Sequence, residues 1–139
     1  MEAIFSLIRK INRSINLESK QINKNYGLSA PQVLCLQILG DSTDFQAIQK
    51  DLAVEMNLNA STMSGIIDRL EKKNMVVCLP KKGDRRVNVI SLSTKGYDFL
   101  KSHPDLLADK LLTKLNQAPE EEVKKIEDSL NSLIHYLSA

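Results

Sequence analysis

The chain is poor in the residues that disulfide-stapled or metal-dependent proteins need. It contains only two cysteines and two histidines. Cys35 and Cys78 lie in apolar sequence contexts, which is unlike a disulfide framework. His103 and His135 are far apart and have no cysteine or carboxylate at ligand spacing. We therefore expect no metal ion and no other cofactor.

Enzyme motifs and membrane segments are also missing from the sequence. There is no glycine-rich phosphate loop, no nucleophile motif and no cluster of metal ligands, so an enzyme has little support. The first residues, Met1 to Phe5, contain no long uncharged apolar run of the kind found in signal peptides and membrane spans. We expect a soluble cytoplasmic protein that does not contact a membrane.

The bulk composition is that of an ordinary globular protein, but the charge is unevenly distributed. A chain of 139 residues with 42% hydrophobic and 26% charged residues suits one domain, or one domain plus an appendage. The net charge of +2 is too small to indicate nucleic-acid binding. However, residues 69–95 contain eight basic and two acidic residues, a local charge of +6, whereas the tail from Asp105 is acidic on balance. This asymmetry is typical of a local site for a polyanion.

Two apolar stripes with helical spacing occupy the two ends of the chain. Each is too apolar to face water, and the two could pack on each other within one subunit. A heptad-like seam at both ends more naturally predicts a helical dimer interface formed by residues 1–28 and 105–139. The predicted interface residues are Ile4, Ile8, Ile11, Ile15, Val123, Ile126, Leu130, Leu133 and Leu137.

The middle of the chain predicts a helix-turn-helix. Ser29 to Gln32 form a capping box with proline in the first turn, and the nearly all-apolar segment that follows predicts a buried helix. A further helix is expected from Gln46 to Glu55. After a three-residue break, Asn59 caps a helix that reaches Lys73. Two short helices joined by a tight turn are typical of a helix-turn-helix.

A β-hairpin is predicted directly after these helices. Two runs rich in valine, isoleucine and leucine, Met75 to Leu79 and Val87 to Leu92, flank a polar turn at Lys82 to Asp84. Ser93 then caps another helix, which is long unless Pro104 interrupts it. Pro119 begins the last helix.

These motifs, in this order, resemble the multiple antibiotic resistance regulator (MarR) family. The matching segments are Leu52 to Thr62, Asp68 to Val76, Asp84 to Arg86 and Leu92 to Gly96. The Asp-x-Arg of the hairpin and the Leu-Ser/Thr-x-x-Gly after it are the most specific parts.

The resemblance implies a mainly α fold with a small β-wing: a winged helix-turn-helix lobe at residues 29–104, with the terminal helices forming a dimerisation domain. It also implies a homodimer that binds a pseudo-palindromic operator in double-stranded DNA. A small phenolic or lipophilic molecule, or an oxidant, would alter the spacing of the two reading heads.

Two positions depart from the family pattern. Asn74 replaces the usual glycine before the wing, and asparagine tolerates the left-handed geometry required there. Cys78 lies where members often carry a basic residue, which removes one contact to the DNA backbone.

In this interpretation the helix that starts at Asn59 enters the major groove and the wing enters the minor groove. The helix start offers hydroxyls and small residues but no arginine or lysine for guanine, so we expect modest direct readout. Arg86 is the candidate for minor-groove insertion, oriented by Asp84, although Arg69 could instead pair with Asp84. The full set of predicted DNA-binding residues is Asn59, Ser61, Thr62, Ser64, Gly65, Arg69, Lys73, Lys81, Lys82, Asp84, Arg85 and Arg86.

The resemblance places an effector pocket between the dimerisation helices and the DNA-binding lobe. A small aromatic or lipophilic effector would meet side chains of the first two helices and of the helix after the wing. The candidates are Asn12, Asn16, Gln32, Leu36 and Tyr97, each of which has ordinary core or surface packing as the alternative.

The cysteines raise a separate possibility. Peroxide-sensing members place a reactive cysteine in the first helix, where this chain has none. Cys35 is expected to be an inert core residue. Cys78 lies near basic residues that could lower its pKa, although a structural role is favoured.

Three functional hypotheses follow. The first is a DNA-binding transcriptional regulator, specifically a repressor that the effector releases. The second is a winged-helix module that binds a protein partner without operator binding, and the third is a thiol-based redox-responsive regulator using Cys78. The Asp84–Arg86 motif and the charge of residues 69–95 favour the first.

Overall fold

The computed structural model describes residues 1–104, 106 and 109–137, with the side chains of 85, 109, 110 and 112 left out. The helices are α1 (Glu2–Tyr26), α2 (Ala30–Asp41), α3 (Gln49–Glu55), α4 (Ala60–Lys72), α5 (Thr94–Ser102), α6 (Asp109–Gln117) and α7 (Glu120–Leu137). The strands are β1 (Gln46–Ile48), β2 (Val76–Lys81) and β3 (Asp84–Leu92), and Thr43–Phe45 forms a 3₁₀ turn. The chain forms two compact units, 1–107 and 108–139. The mainly α fold with a small wing is confirmed.

Helix α1 ends at Tyr26, directly before a glycine. Gly27 takes the left-handed conformation at φ 67°, and its N–H donates to the Asn23 carbonyl at 2.8 Å. The exposure of the apolar stripe changes along the helix. Ile22 is buried, whereas Ile4 and Ile15 are 51% and 55% exposed. Only the C-terminal part of this stripe therefore contributes to the core of the first unit.

Helix α2 forms the centre of that core. Ser29 Oγ accepts the Gln32 N–H and Gln32 Oε1 accepts the Ser29 N–H, so the predicted capping box is present. Val33, Cys35 and Leu36 are completely buried. This burial on several sides of the helix agrees with its nearly continuous apolar sequence.

The predicted start of α3 is wrong. The structure places Gln46 to Ile48 in β1, which pairs antiparallel with β3 in the register Gln46 with Ser91 and Ile48 with Val89. Helix α3 therefore begins only at Gln49. Three residues are too few to show a strand periodicity, and the partner strand lies more than forty residues away in the sequence.

The predicted hairpin is confirmed as the wing. Strands β2 and β3 are antiparallel, with Cys78 opposite Ile90, and the sheet order is β1-β3-β2. Gly83 supplies a φ of 91° at the tip, a conformation that favours glycine. The turn is tighter than expected, because β3 already begins at Asp84.

The segment predicted to form one long helix after the wing, unless Pro104 interrupts it, contains two separate helices, α5 and α6. Helix α5 ends at Ser102, just before Pro104, because the residue preceding a proline disfavours the α conformation. In the second unit, Glu120, Glu121 and Glu122 occupy the first turn of α7, where carboxylates interact favourably with the helix dipole. Among the described helices, none has the length and apolar character of a membrane span.

Candidate nucleic-acid interface

Helix α4 has one buried face and one exposed face. The buried residues are Met63, Ile66, Ile67 and Leu70. Asn59 caps the helix, since its Oδ1 accepts the Thr62 N–H at 2.8 Å. This packing fixes the helix on the lobe and leaves its N-terminal polar residues outside.

The turn before α4 depends on a second asparagine. Asn57 has a φ of 55°, a left-handed conformation that asparagine adopts more readily than most residues. The Leu58 N–H donates to the Ala53 carbonyl at 2.9 Å and closes the connection between α3 and α4. The helix-turn-helix is therefore present.

The exposed start of α4 contains most of the predicted reading residues. Ser61 and Thr62 are exposed. Ser64 is also exposed, but its Oγ accepts a hydrogen bond from Gln49 Nε2 at 3.0 Å. Gly65 lies close to the Arg69 side chain. A Cβ built at residue 65 would lie 3.7 Å from Arg69 Nη1. Ser61 and Thr62 are thus the two predicted residues best placed to meet an external partner.

The wing holds one arginine in an ordered but solvent-exposed position. Asp84 Oδ1 accepts the Arg86 backbone N–H at 3.0 Å and lies 3.6 Å from Arg86 Nε. The Arg86 side chain is nonetheless 94% exposed. Within the described part of the chain, the ion pair of Asp84 is with Arg86 and not with Arg69. Asp84 therefore lies at ion-pair distance from the guanidinium without burying it.

The other predicted wing residues have different environments. Lys81 and Lys82 are exposed beside the turn. The side chain of Arg85 lies outside the described residues. Together with Arg86, the two lysines give the wing tip an exposed positive charge, the kind of surface that attracts a polyanion.

Lys73 has a hydrogen-bond partner within the protein. Its Nζ donates to the Gly27 carbonyl at the end of α1. This contact uses one of the three N–H donors of the ammonium, and the predicted contact of Lys73 with DNA stays a prediction. The sequence could not reveal this contact because the two residues are 46 positions apart.

The comparison with protein-family models matches residues 28–87 to the MarR family. Over these residues the chain is similar to MarR-family proteins. The transcriptional regulator MgrA of Staphylococcus aureus is 26% identical over 133 residues, which cover 96% of this chain and 86% of MgrA. The family is one of transcriptional regulators, as the sequence resemblance had predicted.

Solved structures of MarR proteins share the fold over nearly the whole chain. AbsC of Streptomyces coelicolor has a TM-score of 0.82 at 20% identity, covering 98% of this chain and 93% of AbsC. Sco3205 of the same organism, solved in complex with DNA, has a TM-score of 0.83 at 19% identity, covering 99% and 90%. At these identities the likeness shows the winged-helix fold alone.

Asn74 takes the left-handed conformation that the sequence resemblance predicted before the wing. Its φ is 61°, as predicted for the turn between α4 and β2. The Asn74 N–H donates to the Glu71 carbonyl at 2.9 Å. An asparagine therefore starts the wing without loss of the tight turn.

The environment of Cys78 contradicts the expected lowering of its pKa. Burial raises the pKa of this thiol, and the carboxylates of Glu71 and Asp68 raise it further. Glu71 Oε2 also accepts the Cys78 backbone N–H at 3.1 Å. The carboxylates of α4 face the strand and raise the pKa of Cys78, whereas the sequence suggested that basic neighbours would lower it. Burial raises the pKa of Cys35 to about 12, which agrees with an inert core residue.

The predicted effector-pocket residues have diverse environments. Gln32 belongs to the α2 capping box and Leu36 is completely buried in the core. Asn12 and Asn16 are exposed on α1. Tyr97 packs against Phe45, with ring centroids 5.3 Å apart. Gln32 and Leu36 therefore have structural roles, and a pocket at this set remains a prediction.

Sequence reasoning missed an aromatic cluster between the end of α1 and α5. The Tyr26 ring lies 5.5 Å from Phe99 and 4.6 Å from His103, measured between centroids. His103 Nδ1 lies 2.9 Å from the Phe99 carbonyl oxygen. The spacing of four residues between Phe99 and His103 was the available signal, because such residues share a helix face.

A cleft beside the wing was also missed. Its volume is about 530 Å³, and α3, the start of α4 and β3 enclose it. The apolar lining includes Ile48, Val54 and Met63, and the wing contributes Arg86. The volume falls in the range of ~300–1,000 Å³ typical of ligand pockets.

Proposed function

We propose that the protein is a homodimeric transcriptional repressor that binds a pseudo-palindromic operator and releases it on binding a small aromatic or lipophilic effector. The observation that carries the proposal is Arg86, which is paired with Asp84 yet almost fully exposed, and which lines the same cleft as the start of α4. The match of residues 28–87 to the MarR family, the similarity to the regulator MgrA and the DNA complex of Sco3205 support DNA as the partner.

The two exposed elements would divide the work of reading DNA. The start of α4 would enter the major groove, where Ser61 and Thr62 hydroxyls can bond phosphates or base edges. Arg86 would enter the adjacent minor groove, whose negative potential is strongest where the groove is narrow. Since the helix start lacks arginine and lysine, DNA shape would contribute more to specificity than base contacts.

The apolar stripes support a dimer formed by residues 1–28 and 105–139. On α1, Ile4, Ile11 and Ile15 are each more than half exposed in the single chain. On α7, Leu130 and Leu137 are exposed as well. Exposed aliphatic residues repeated at helical spacing favour burial against a second copy. Residues 29–104 would then form the DNA-binding lobe of each subunit.

Selection of bound DNA from a random pool tests this function. The enriched sequence should be two-fold symmetric, with half-sites separated by about one helical turn or a multiple of it. Enrichment of an asymmetric sequence would contradict the two-fold arrangement. A stable dimer that enriches no sequence would instead support the protein-interaction module.

A thermal-shift screen with small aromatic acids tests the effector. A ligand at about 100 times its dissociation constant stabilises the native state by about 2.7 kcal/mol, which raises the melting temperature. The same ligand should reduce operator binding in a mobility-shift titration. A ligand that stabilises the protein but leaves operator binding unchanged would contradict effector-controlled release.

A further inference from the structure

Three helix ends meet at the junction where α4 passes into the wing. Lys73 follows the last residue of α4, and its N–H donates to the Arg69 carbonyl at 3.2 Å. Its side chain reaches the end of α1, where Nζ donates to the Gly27 carbonyl. A lysine ammonium at the C-terminal end of a helix is favourable because the unpaired carbonyls there carry partial negative charge.

Residues at the start of α5 form hydrogen bonds to the same junction. Lys95 Nζ donates to the Lys73 carbonyl at 2.9 Å, which places a second ammonium at the C-terminal end of α4. Ser93 Oγ donates to the Asn74 carbonyl at 2.6 Å, and the Ser93 N–H donates to the Met75 carbonyl at 3.0 Å. The Leu92 to Gly96 motif therefore binds the end of α4 and the first residues of the wing.

Lys73 connects this assembly to α1. Arg69 lies one helical turn earlier and is exposed, whereas Lys73 is half-buried. The bond to Gly27 uses one N–H donor of the Lys73 ammonium and holds the side chain at the end of α1, which places it to orient α4. We infer that Lys73 is a positioning residue for DNA reading, which holds the C-terminal end of α4 against the end of α1. This inference rests on the proposed function.

Lys73 would therefore connect α1, which would form the dimer, to α4, which would read DNA. In the dimer, α1 would help to fix the separation of the two reading heads. The bond from Lys73 to Gly27 would fix the angle of each α4 relative to α1. Loss of this bond should weaken selection of the correctly spaced operator more than general attraction to DNA.

The test uses Lys73→Met in the full-length chain, with Lys73→Arg as the conservative variant. Lys72→Met is the matched control, since it removes the same charge one position earlier at an exposed site. Mobility-shift titrations over a series of salt concentrations measure affinity for the selected operator and for unrelated DNA. Lys95→Met provides a second lesion of the junction if Lys73→Met does not fold.

We expect Lys73→Met to lose about fivefold in operator affinity, the order of one hydrogen bond, while binding to unrelated DNA changes by less than about twofold. The salt slope should not change, and Lys73→Arg should restore the preference for the operator. Lys95→Met should act in the same direction, and Lys72→Met should leave the preference unchanged.

Two results would overturn the inference alone. If Lys73→Met weakens operator and unrelated DNA equally and lowers the salt slope by about one for each lost contact, Lys73 binds phosphate. An unchanged operator preference with a lower melting temperature would show a merely structural role. Failure of the unmodified chain to enrich any operator would overturn the proposed function together with this inference.

Discussion

The two ends of α4 are held in opposite ways. At the N-terminal end, one local cap from Asn59 to the Thr62 N–H fixes the helix, and Ser61 and Thr62 remain exposed. At the C-terminal end, α1 and α5 contribute hydrogen bonds through Lys73 and Lys95. This difference suggests two roles. The exposed N-terminal end of α4, the open end, would contact DNA. The C-terminal end, which Lys73 and Lys95 hold and which is called the pinned end, would set the orientation of the helix.

The largest expected effect is on stability and comes from adding a side chain at Gly96, beside the pinned end of α4. A Cβ at Gly96 would lie 2.4 Å from the Met75 carbonyl oxygen and 2.7 Å from Leu92 Cδ1. Because the first contact is to backbone, we expect Gly96→Ala to lower the free energy of unfolding by about 3 kcal/mol. Urea denaturation measures the change.

A matched control for that substitution is available within α4 itself. Gly65→Ala introduces the same methyl group, with its nearest contact at an ordinary 3.7 Å from Arg69 Nη1. Alanine is the better helix former, so the free energy of unfolding should rise by about 0.5 kcal/mol. Equal losses from both substitutions would contradict the close approach at Gly96.

The next largest effect is on operator affinity and tests the wing independently of the two ends of α4. Arg86→Ala should weaken operator binding at least tenfold, an order of magnitude expected from one lost charged groove contact, and leave the dimer intact. A mobility-shift titration at fixed salt measures it. Arg13→Ala is the control, because residue 13 lies on the face of α1 opposite the apolar stripe at about 100° per residue. Unchanged affinity of Arg86→Ala would remove Arg86 from the interface.

A smaller effect tests the single cap at the open end. Asn59→Ala should cost about 1 kcal/mol of stability and also reduce operator affinity, because the start of α4 would fray. Ser29→Ala removes the equivalent cap from α2 and should cost a similar amount, with operator affinity unchanged. If both variants bind the operator equally well, the start of α4 does not read DNA.

The smallest expected effect is at Cys78, on the strand beside α4. Its raised pKa leaves less thiolate at pH 8 than an unperturbed cysteine has, so alkylation should be slower than in a short model peptide. Cys78→Ser should bind the operator as the unmodified chain does. Rapid alkylation with loss of DNA binding would revive the redox hypothesis.

The features that sequence could predict are local in the chain. The α2 capping box needs residues only three positions apart, and the left-handed conformation of Asn74 follows from its own side chain and its place after a helix. The exposed wing arginine and its aspartate partner are two residues apart. In each case the physical cause lies within one turn of backbone.

The features that sequence missed depend on distant partners. Strand β1 exists because β3 lies beside it, and the bond from Lys73 to Gly27 joins residues that are 46 positions apart. The pKa of Cys78 changed direction because α4 presents Glu71 and Asp68 to the strand. The motif from Leu92 to Gly96 was visible, but its purpose at the end of α4 required the fold.

Hydroxyl-radical footprinting of the selected operator tests the central claim most directly, because the radicals report protection of the minor groove. We predict a two-fold symmetric pattern in which the Arg86→Ala variant, bound at saturating concentration, loses protection at the outer minor-groove segments and keeps the protection between them. An asymmetric pattern, or identical protection by the unmodified chain and the variant, would contradict a wing held in the minor groove by Asp84 and Arg86.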